Sequence, residues 1–462
     1  DCVKESWMPH LFSFARGGTW FKNHRSVFPT STRVCTGTLV TGVYPRKHGL
    51  AGNALLAREL RPPRVISTRD DKALAGWEKA LSGKLLGRRT FFQALGGKSA
   101  GVILHCVSPG SAYIWNARKS ASLLHPDHHW PEGFRAQAEA SCGPIPPAGS
   151  PDLKRCEYIL NFAAGHVLPK MKPRVLIIHL SEPDSIQHGI GVEGSLHRQT
   201  LRGLDRLLGE FLERLEETGI RKRANIIVMS DHGASGVTDM VDLEGEMEKA
   251  GLKGMGKSWT VAHSEGAALF YARRGGLKTL EPVAEFLRTR PWAGPLFSLD
   301  GKKEKGLLPG TFSLGLAGCG GARGPDLLMP FQWEEERGGV CYSSVNNKGS
   351  GGTHGSCSPY ELNNFCAASG PAFYRRKSVT RPSGNIDIAP TILALSGRPV
   401  PAGLDGRPLF EGMRGAKVPA GKVVTETFQV EDSRASGGFL QTLRRTRVGK
   451  RFFLDWAKLE RP

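Results

Sequence analysis

Hydrophobic residues along the chain form short apolar runs that alternate with helical patterns. Three runs, Ala100–Cys106, Arg174–Leu180 and Ala224–Met229, are rich in aliphatic residues and of strand length, which predicts buried strands. Between the last two, leucines and a phenylalanine recur at helical spacing through Leu201–Leu215, and Gly219 follows. A strand, a helix and a strand in this order predict a parallel sheet covered by helices.

The second half of the chain is less regular. Residues Ile386–Leu395 predict a further helix, and the tail from Asp405 predicts loops and short strands. Residues 251–352 mix short elements with glycine-rich segments, which we interpret as a cap inserted between two parts of a core, residues 1–250 and 353–462. The predicted fold class is α/β, with a central, mostly parallel sheet flanked by helices.

The amino-acid composition excludes some classes of function but does not identify one. Among 462 residues, 39% are hydrophobic and 23% charged, which is typical of a globular chain. The sequence contains no apolar run of the roughly 20 residues that a membrane span needs. The net charge of +20 fits a solvated basic surface, and it would also attract a small anionic substrate. The basic residues are scattered and form no clear nucleic-acid motif. The oligomeric state is left open.

The nine cysteines are odd in number and show no CxxC spacing. This usage favours free thiols in a reducing compartment, such as the cytoplasm. The start of the chain qualifies that expectation. Asp1 has no strand before it, so we expect a missing strand, and a lost targeting peptide is equally compatible with such a start.

Polar residues with metal-binding chemistry follow two of the predicted strands. Because sites in open α/β sheets form beyond the carboxyl ends of the strands, we expect these residues to converge. The candidates are Asp184, His188, Asp231 and His232, together with His354 in a glycine-rich loop and Asp1 at the start of the chain. Carboxylates and imidazoles suit zinc, manganese or iron, and the set is large enough for two ions.

A threonine-rich stretch at residues 28–53, FPTSTRVCTGTLVTGVYPRKHGLAGN, supplies a candidate nucleophile. One interpretation is structural: Thr30 or Thr32 caps a helix. The other is catalytic: a hydroxyl at a helix N-terminus faces free backbone N–H groups and the positive end of the dipole, where a phosphoryl group binds well. A metal on that hydroxyl would lower its pKa. The residues alone leave both interpretations open.

The motifs occur in an order that is more specific than any one of them. They are Asp1, FPTST at Phe28–Thr32, LVTGVYPRKHG at Leu39–Gly49, Asn53, EPDSIQH at Glu182–His188, SDHG at Ser230–Gly233 and HGSCSPYELNNF at His354–Phe365. In this respect the sequence resembles the type I phosphodiesterase/nucleotide pyrophosphatase family of the alkaline phosphatase superfamily. The resemblance implies an alkaline-phosphatase-like sandwich and hydrolysis of phosphate esters, most typically phosphodiester or nucleotide pyrophosphate bonds.

The resemblance also implies a role for each site residue, and two zinc ions are usual in the family. Thr32 matches the nucleophile that forms a covalent phospho-enzyme, and Asn53 matches the residue that contacts a phosphoryl oxygen. The ligands of one metal are matched by Asp184, His188 and His354, and those of the other by Asp1, Asp231, His232 and the Thr32 oxygen. One departure concerns Cys2, which stands where the family usually has glycine.

Related activities remain as alternatives. Sulfatases of the superfamily carry their modified residue nine positions before the threonine of a Thr-Gly pair. Thr32 stands nine positions before Thr41, whereas Cys35 stands six before it, which disfavours a sulfatase. Phosphonate hydrolysis, phosphomonoester hydrolysis and a non-catalytic homologue stay open. We expect Cys35 and Cys357 to be packed small side chains rather than ligands.

Overall fold

The computed structural model describes residues 5–96, 101–117, 119–252, 254–336, 340–346, 351–418, 420–431 and 438–461. The helices are α1 (Pro9–Gly17), α2 (Thr32–Thr41), α3 (Pro45–His48), α4 (Asp71–Ala80), α5 (Phe91–Leu95), α6 (Pro109–Trp115), α7 (Phe134–Cys142), α8 (Leu153–Phe162), α9 (Asp184–Ile190), α10 (Gly194–Glu217), α11 (Leu243–Lys249), α12 (Glu281–Arg288), α13 (Pro359–Leu362) and α14 (Ile388–Leu395).

The strands form several small sheets. In chain order they are β1 (Thr19–Phe21), β2 (His24–Arg25), β3 (Ala54–Ala57), β4 (Arg64–Ser67), β5 (Gly101–His105), β6 (Ser122–Leu124), β7 (Val175–His179), β8 (Ile226–Met229), β9 (Ser235–Val241), β10 (Trp259–Ser264), β11 (Ala267–Ala272), β12 (Phe297–Ser298), β13 (Phe312–Ser313), β14 (Leu327–Pro330), β15 (Trp333–Glu336), β16 (Val340–Asn346), β17 (Gly352–Thr353), β18 (Asn363–Asn364), β19 (Cys366–Ser369), β20 (Lys377–Val379), β21 (Ser383–Gly384), β22 (Val423–Glu431), β23 (Leu440–Val448) and β24 (Arg451–Glu460).

Strands β5, β6 and β7 form a parallel three-stranded sheet in the first half of the chain. Strand β5 lies between β6 and β7 and pairs with both in parallel. All of β5 is buried, as its continuous apolar run predicts. The predicted amphipathic helix is α10, whose Leu207, Phe211 and Leu215 join an apolar cluster with residues of β5 and α8. The strand, helix and strand predictions for this region are confirmed.

Strand β8 does not join the parallel sheet of β5, β6 and β7. Among the described residues, β7 pairs only with β5, and β8 pairs only with β19 in antiparallel orientation. The apolar side chains of β7 and β8 are half-buried, and both strands line a cavity of about 2280 Å³ together with α10. Parallel pairing therefore holds for β5–β7 and does not extend to β8. The strand expected before Asp1 stays a prediction. Residues 1–4 themselves lie outside the described ranges.

Residues of the expected cap form a sheet with its own apolar cluster. Strands β10, β11, β14, β12 and β13 pair in that order. Their inner side chains pack with α12 around Phe270, Leu287 and Phe331. The same region also contacts the rest of the chain, because β16 pairs in parallel with β9. The division into a core and a cap at residues 251 and 352 stays a prediction.

The C-terminal tail differs from its prediction. Instead of loops and short strands, β22, β23 and β24 form an antiparallel sheet of 9, 9 and 10 residues. Arginine, threonine and other polar residues interrupt the apolar positions of these strands, so the sequence shows no unbroken apolar run like that of β5. Helix α14 begins at Ile388, because residues 385–387 form a 3₁₀ turn before it. Within the described ranges, no helix is both long enough and apolar enough to cross a membrane.

Candidate active site

Helix α2 places Thr32 at the centre of the site. Ser31 is the N-cap residue, its side chain makes no capping hydrogen bond, and Thr32 is the first helical residue. The structure therefore does not support a capping role for the Thr32 hydroxyl. Thr32 is 2% exposed, and its Oγ1 lies 3.1 Å from Nε2 of His232. The hydroxyl thus faces a metal-binding type of side chain at the positive end of a buried helix.

The first ligand cluster consists of Asp184, His188 and His354. Asp184 and His188 lie one turn apart on α9, so their side chains share a face of the helix. His354 follows β17, and its Nε2 lies 3.1 Å from Nε2 of His188 and 3.5 Å from Oδ1 of Asp184. One ligand atom from each residue lies within 4.8 Å of the others. Such a group of one carboxylate and two imidazoles fits a zinc-like cation.

The second ligand cluster consists of Asp231, His232 and Thr32. The two residues Asp231 and His232 follow β8, and Oδ2 of Asp231 lies 3.4 Å from Nε2 of His232. This Oδ2 is buried and accepts no hydrogen bond from any described residue. A buried carboxylate oxygen without a partner is costly unless a cation neutralises it, which fits a second metal. Asp1, the fourth expected ligand, lies outside the described residues.

Backbone carbonyl groups fix the orientation of all three histidines. Nδ1 of His188 donates to the Gly352 carbonyl at 3.2 Å, and Nδ1 of His232 donates to the Gly233 carbonyl at 2.9 Å. Nδ1 of His354 donates to the Thr30 carbonyl at 2.7 Å. Because Nδ1 carries the proton in each case, Nε2 of the neutral ring carries a lone pair that can coordinate a cation.

Asn53 lies beside the start of α2, as the resemblance implies. Its backbone N–H donates to Oγ of Ser264 at 2.7 Å, and its Oδ1 is 3.4 Å from the backbone N of Arg33. Its Nδ2 donates to Oε2 of Glu265 at 2.6 Å. Arg33 and Glu265 were not singled out in the sequence, because the turn between β10 and β11 brings Glu265 to the site from more than 200 positions away along the chain.

The profile of the type I phosphodiesterase / nucleotide pyrophosphatase family matches residues 1–290. The chain belongs to this family. Among curated relatives, venom phosphodiesterase 2 of Crotalus adamanteus is 24% identical over 230 residues, which cover 50% of this chain and 24% of the relative. Ectonucleotide pyrophosphatase/phosphodiesterase family member 1 of Mus musculus is 26% identical over 227 residues, or 49% of this chain and 21% of the relative. The chain spans about a quarter of the length of the curated relatives it matches.

Solved structures of the family share the fold. Human ectonucleotide pyrophosphatase / phosphodiesterase 5 matches with a TM-score of 0.60 at 16% identity, covering 88% of this chain and 95% of that one. An inactive variant of the murine protein, in complex with AMP, matches with a TM-score of 0.59 at 16% identity, covering 85% and 91%. The mixed α/β, alkaline-phosphatase-like fold class is thereby confirmed, and metal dependence of the family agrees with the group of Asp184, His188 and His354.

A second buried carboxylate, Glu361 of α13, organises the loop that carries His354. Its Oε2 accepts from the Thr30 hydroxyl at 2.8 Å and from the Ser356 backbone N–H at 2.7 Å. Its Oε1 accepts from the hydroxyls of Ser356 and Ser235 at 2.6 and 2.8 Å. Glu361 lies inside a motif that the sequence flagged, but only the folded chain shows that it links Ser356, two residues after His354, to Thr30, whose carbonyl accepts from His354.

The charge of the site is set by burial and by its neighbours. Burial opposes ionisation of Asp184, but His188 and His354 outweigh it and lower the pKa of Asp184 to about 2. Burial lowers the pKa of His354 to about 4. For His232, burial acts in the same direction, yet Asp231 and Asp184 outweigh it and raise the pKa. The ionised carboxylate and the neutral His354 are the forms that bind a cation.

The two cysteines near the site are packed side chains, as expected. Cys35 and Cys357 are both fully buried, and both are free thiols. Burial raises the pKa of each thiol, so the thiolate that would bind a metal is disfavoured. The other cysteines that the structure describes are also free, and Cys2 lies outside the described residues.

Proposed function

We propose that this protein hydrolyses phosphate esters, most typically phosphodiester or nucleotide pyrophosphate bonds, through a covalent phospho-threonine on Thr32. The observation that carries the proposal is the 3.1 Å contact between Oγ1 of Thr32 and Nε2 of His232, at the start of a buried helix. The named activities of the relatives support it, and the murine structural neighbour binds AMP, a nucleotide monoester.

Two divalent cations, with zinc as the expected metal, would be held by the two ligand clusters. Asp184, His188 and His354 would hold one cation. Asp231, His232 and the Thr32 hydroxyl would hold the other, with Asp1 as a further ligand. When bound, such cations lower the pKa of a coordinated hydroxyl and neutralise charge that develops on phosphoryl and leaving oxygens.

In the proposed reaction, Thr32, Asn53 and the N-terminus of α2 each have a separate role. Oγ1 of Thr32 attacks phosphorus, a bond from oxygen to phosphorus forms, and the ester oxygen departs on the opposite side. Water later attacks the phospho-threonine, which releases a phosphate monoester and restores the hydroxyl. Asn53 contacts a non-bridging oxygen throughout, and the N-terminus of α2 favours the negative charge of that group.

The test compares two neighbouring hydroxyls. Zinc-loaded Thr32→Ala should lose at least about 1000-fold in turnover of a chromogenic phosphodiester, while two metals per chain remain bound. Ser31→Ala is the matched control, since Ser31 is the adjacent N-cap residue with no capping hydrogen bond, and it should keep most of the activity. Near-normal turnover by Thr32→Ala would contradict the nucleophile assignment.

A substrate panel separates this proposal from its alternatives. Phosphodiester, phosphomonoester, phosphonate and sulfate ester hydrolysis should be compared on the same metal-loaded protein. We expect the phosphodiester to have the highest kcat/KM. A preference for the phosphonate or the monoester would move the chain to that activity within the superfamily, and no turnover of any of them would favour a non-catalytic homologue.

A further inference from the structure

Arg33 is a buried cation directly after the proposed nucleophile. Its side chain is 7% exposed, and its nearest opposite charge is Oε1 of Glu265 at 3.7 Å, beyond hydrogen-bond distance. Its Nε is buried and has no hydrogen-bond partner among the described residues. A guanidinium offers five N–H donors in a planar fork, and burying even one of them without an acceptor is costly. An oxyanion beside Thr32 would satisfy them.

Glu265 places a negative charge at the same point. Its backbone φ of 55° lies in the left-handed region, which is unfavourable for a residue with a side chain, in the tight turn between β10 and β11. Its Oε2 accepts from Nδ2 of Asn53 at 2.6 Å and lies 3.1 Å from Nε2 of His354. It stands outside the group of three first-cluster ligands. The turn thus holds a carboxylate against the residue that is expected to contact phosphate.

The hydrogen-bond capacity of Asn53 leaves room for a substrate. Its amide carries two N–H donors, and Glu265 occupies one of them. The second donor and the guanidinium of Arg33 are therefore available to two non-bridging oxygens. Since Glu265 contacts Asn53 and faces Arg33, it orients both donors and partly neutralises the arginine.

We propose that Arg33 and Asn53 bind the non-bridging phosphoryl oxygens and that Glu265 restricts this subsite to monoanionic phosphates. The inference rests on the proposed function and refines its substrate class. A phosphodiester carries one negative charge, whereas a phosphomonoester carries close to two at neutral pH. The extra charge would lie against the Glu265 carboxylate in a buried site, where like charges repel strongly.

The first experiment uses Glu265→Gln, which removes the charge and keeps the shape. On the zinc-loaded protein, the ratio of kcat/KM for p-nitrophenyl phosphate to that for bis(p-nitrophenyl) phosphate should rise about tenfold. Affinity for inorganic phosphate, measured by calorimetry, should rise by a similar factor. Glu265→Gly is a second variant, because glycine suits the left-handed backbone at this position. It should shift both quantities in the same direction.

The second experiment removes the cation. Arg33→Ala should lower kcat/KM for the diester about 100-fold and weaken phosphate binding, with Arg33→Lys retaining part of each because it keeps the charge without the planar fork. Glu244→Gln is the control for both experiments. Glu244 pairs with His263, whose side chain points to the opposite face of β10 from Ser264, and this change should leave the ratio and the phosphate affinity unchanged.

The outcomes separate this inference from the proposed function. If the wild-type protein hydrolyses neither ester, the proposed function fails, and phosphate calorimetry still tests the subsite. If the diester is hydrolysed but both Glu265 variants leave the ratio and the phosphate affinity unchanged, the role of Glu265 is overturned. Normal phosphate affinity and turnover in Arg33→Ala would overturn the role of Arg33. Metal content and the thermal midpoint should be measured for every variant, so that misfolding is recognised.

Discussion

The two ligand clusters share carboxylate and imidazole ligands but differ in how closely their described side chains converge. The first cluster brings three ligand atoms within 4.8 Å of one another, from α9 and from the loop after β17. The second cluster, around Asp231 and His232, contains a carboxylate oxygen that has no hydrogen-bond partner among the described residues. A cation site is strongest where several ligands are held in advance, so we expect the first cluster to bind metal more tightly.

The largest expected effect comes from removing one ligand from either cluster. His354→Gln and Asp231→Asn should each lower phosphodiesterase activity at least about 1000-fold, because the proposed reaction needs both cations. Their metal binding should differ. Titration of metal-free protein with zinc should show a tight and a weaker step, of which His354→Gln abolishes the tight one and Asp231→Asn the weaker one.

The opposite result would contradict the expected order of zinc affinities for the two clusters. If Asp231→Asn removed the tight step, the second cluster would be the better formed one, and Asp1 would be an effective ligand. Metal stoichiometry by mass spectrometry under native conditions distinguishes the two results. A variant that loses activity but keeps both metals would place that residue in the reaction without placing it in a metal site.

The sequence predicts best those site residues that lie a short, regular distance apart along the chain. Asp184 and His188 follow a predicted strand and lie one helical turn apart, and that pattern is visible in the chain itself. Thr32 and His354 could be assigned to the site only from the order of the motifs along the chain. Glu265 and Arg33 could not be paired from the sequence, because only the packing of the β10–β11 turn against α2 brings them together.

The same limit applies to the fold. An unbroken apolar run predicted β5 because both of its faces are buried. Strands β22–β24 escaped prediction because polar and charged residues break up their apolar positions, as in the LQTLRRTRV sequence of β23. Pairing between sheets was equally invisible, since β8 finds its partner, β19, about 140 positions later in the chain.

A smaller effect should separate the clusters through a residue that touches no substrate. Glu361→Gln weakens the hydrogen bonds that hold Thr30 and Ser356 around His354, so zinc affinity of the first cluster should fall roughly 10- to 100-fold. The second cluster should keep its affinity. Glu335→Gln is the matched control, since this exposed carboxylate accepts from the hydroxyl of Tyr360, next to Glu361 in the chain. Equal loss at both clusters would show a general destabilisation instead.

The smallest effect concerns protons in the metal-free protein. Burial lowers the pKa of His354 to about 4, whereas for His232 the charges of Asp231 and Asp184 outweigh burial and raise the pKa above 6.5. His354 therefore contributes stability that is complete above about pH 6.5 and is lost as the pH falls toward 4, by up to about 1.4 kcal/mol per pH unit. His232 acts in the opposite sense, since its contribution is complete below about pH 6.5 and is lost as the pH rises through its folded pKa.

These opposite signs can be measured one histidine at a time. NMR titration of the metal-free protein should show His232 protonated at a pH where His354 is still neutral, and His354→Gln should flatten the loss of unfolding free energy between pH 6.5 and 4. Because zinc competes with protons for Nε2, the first cluster should also retain zinc at lower pH than the second. Titration of His354 near 6.5 would remove this difference, and the order of the two metal-binding steps would then rest on the ligand geometry alone.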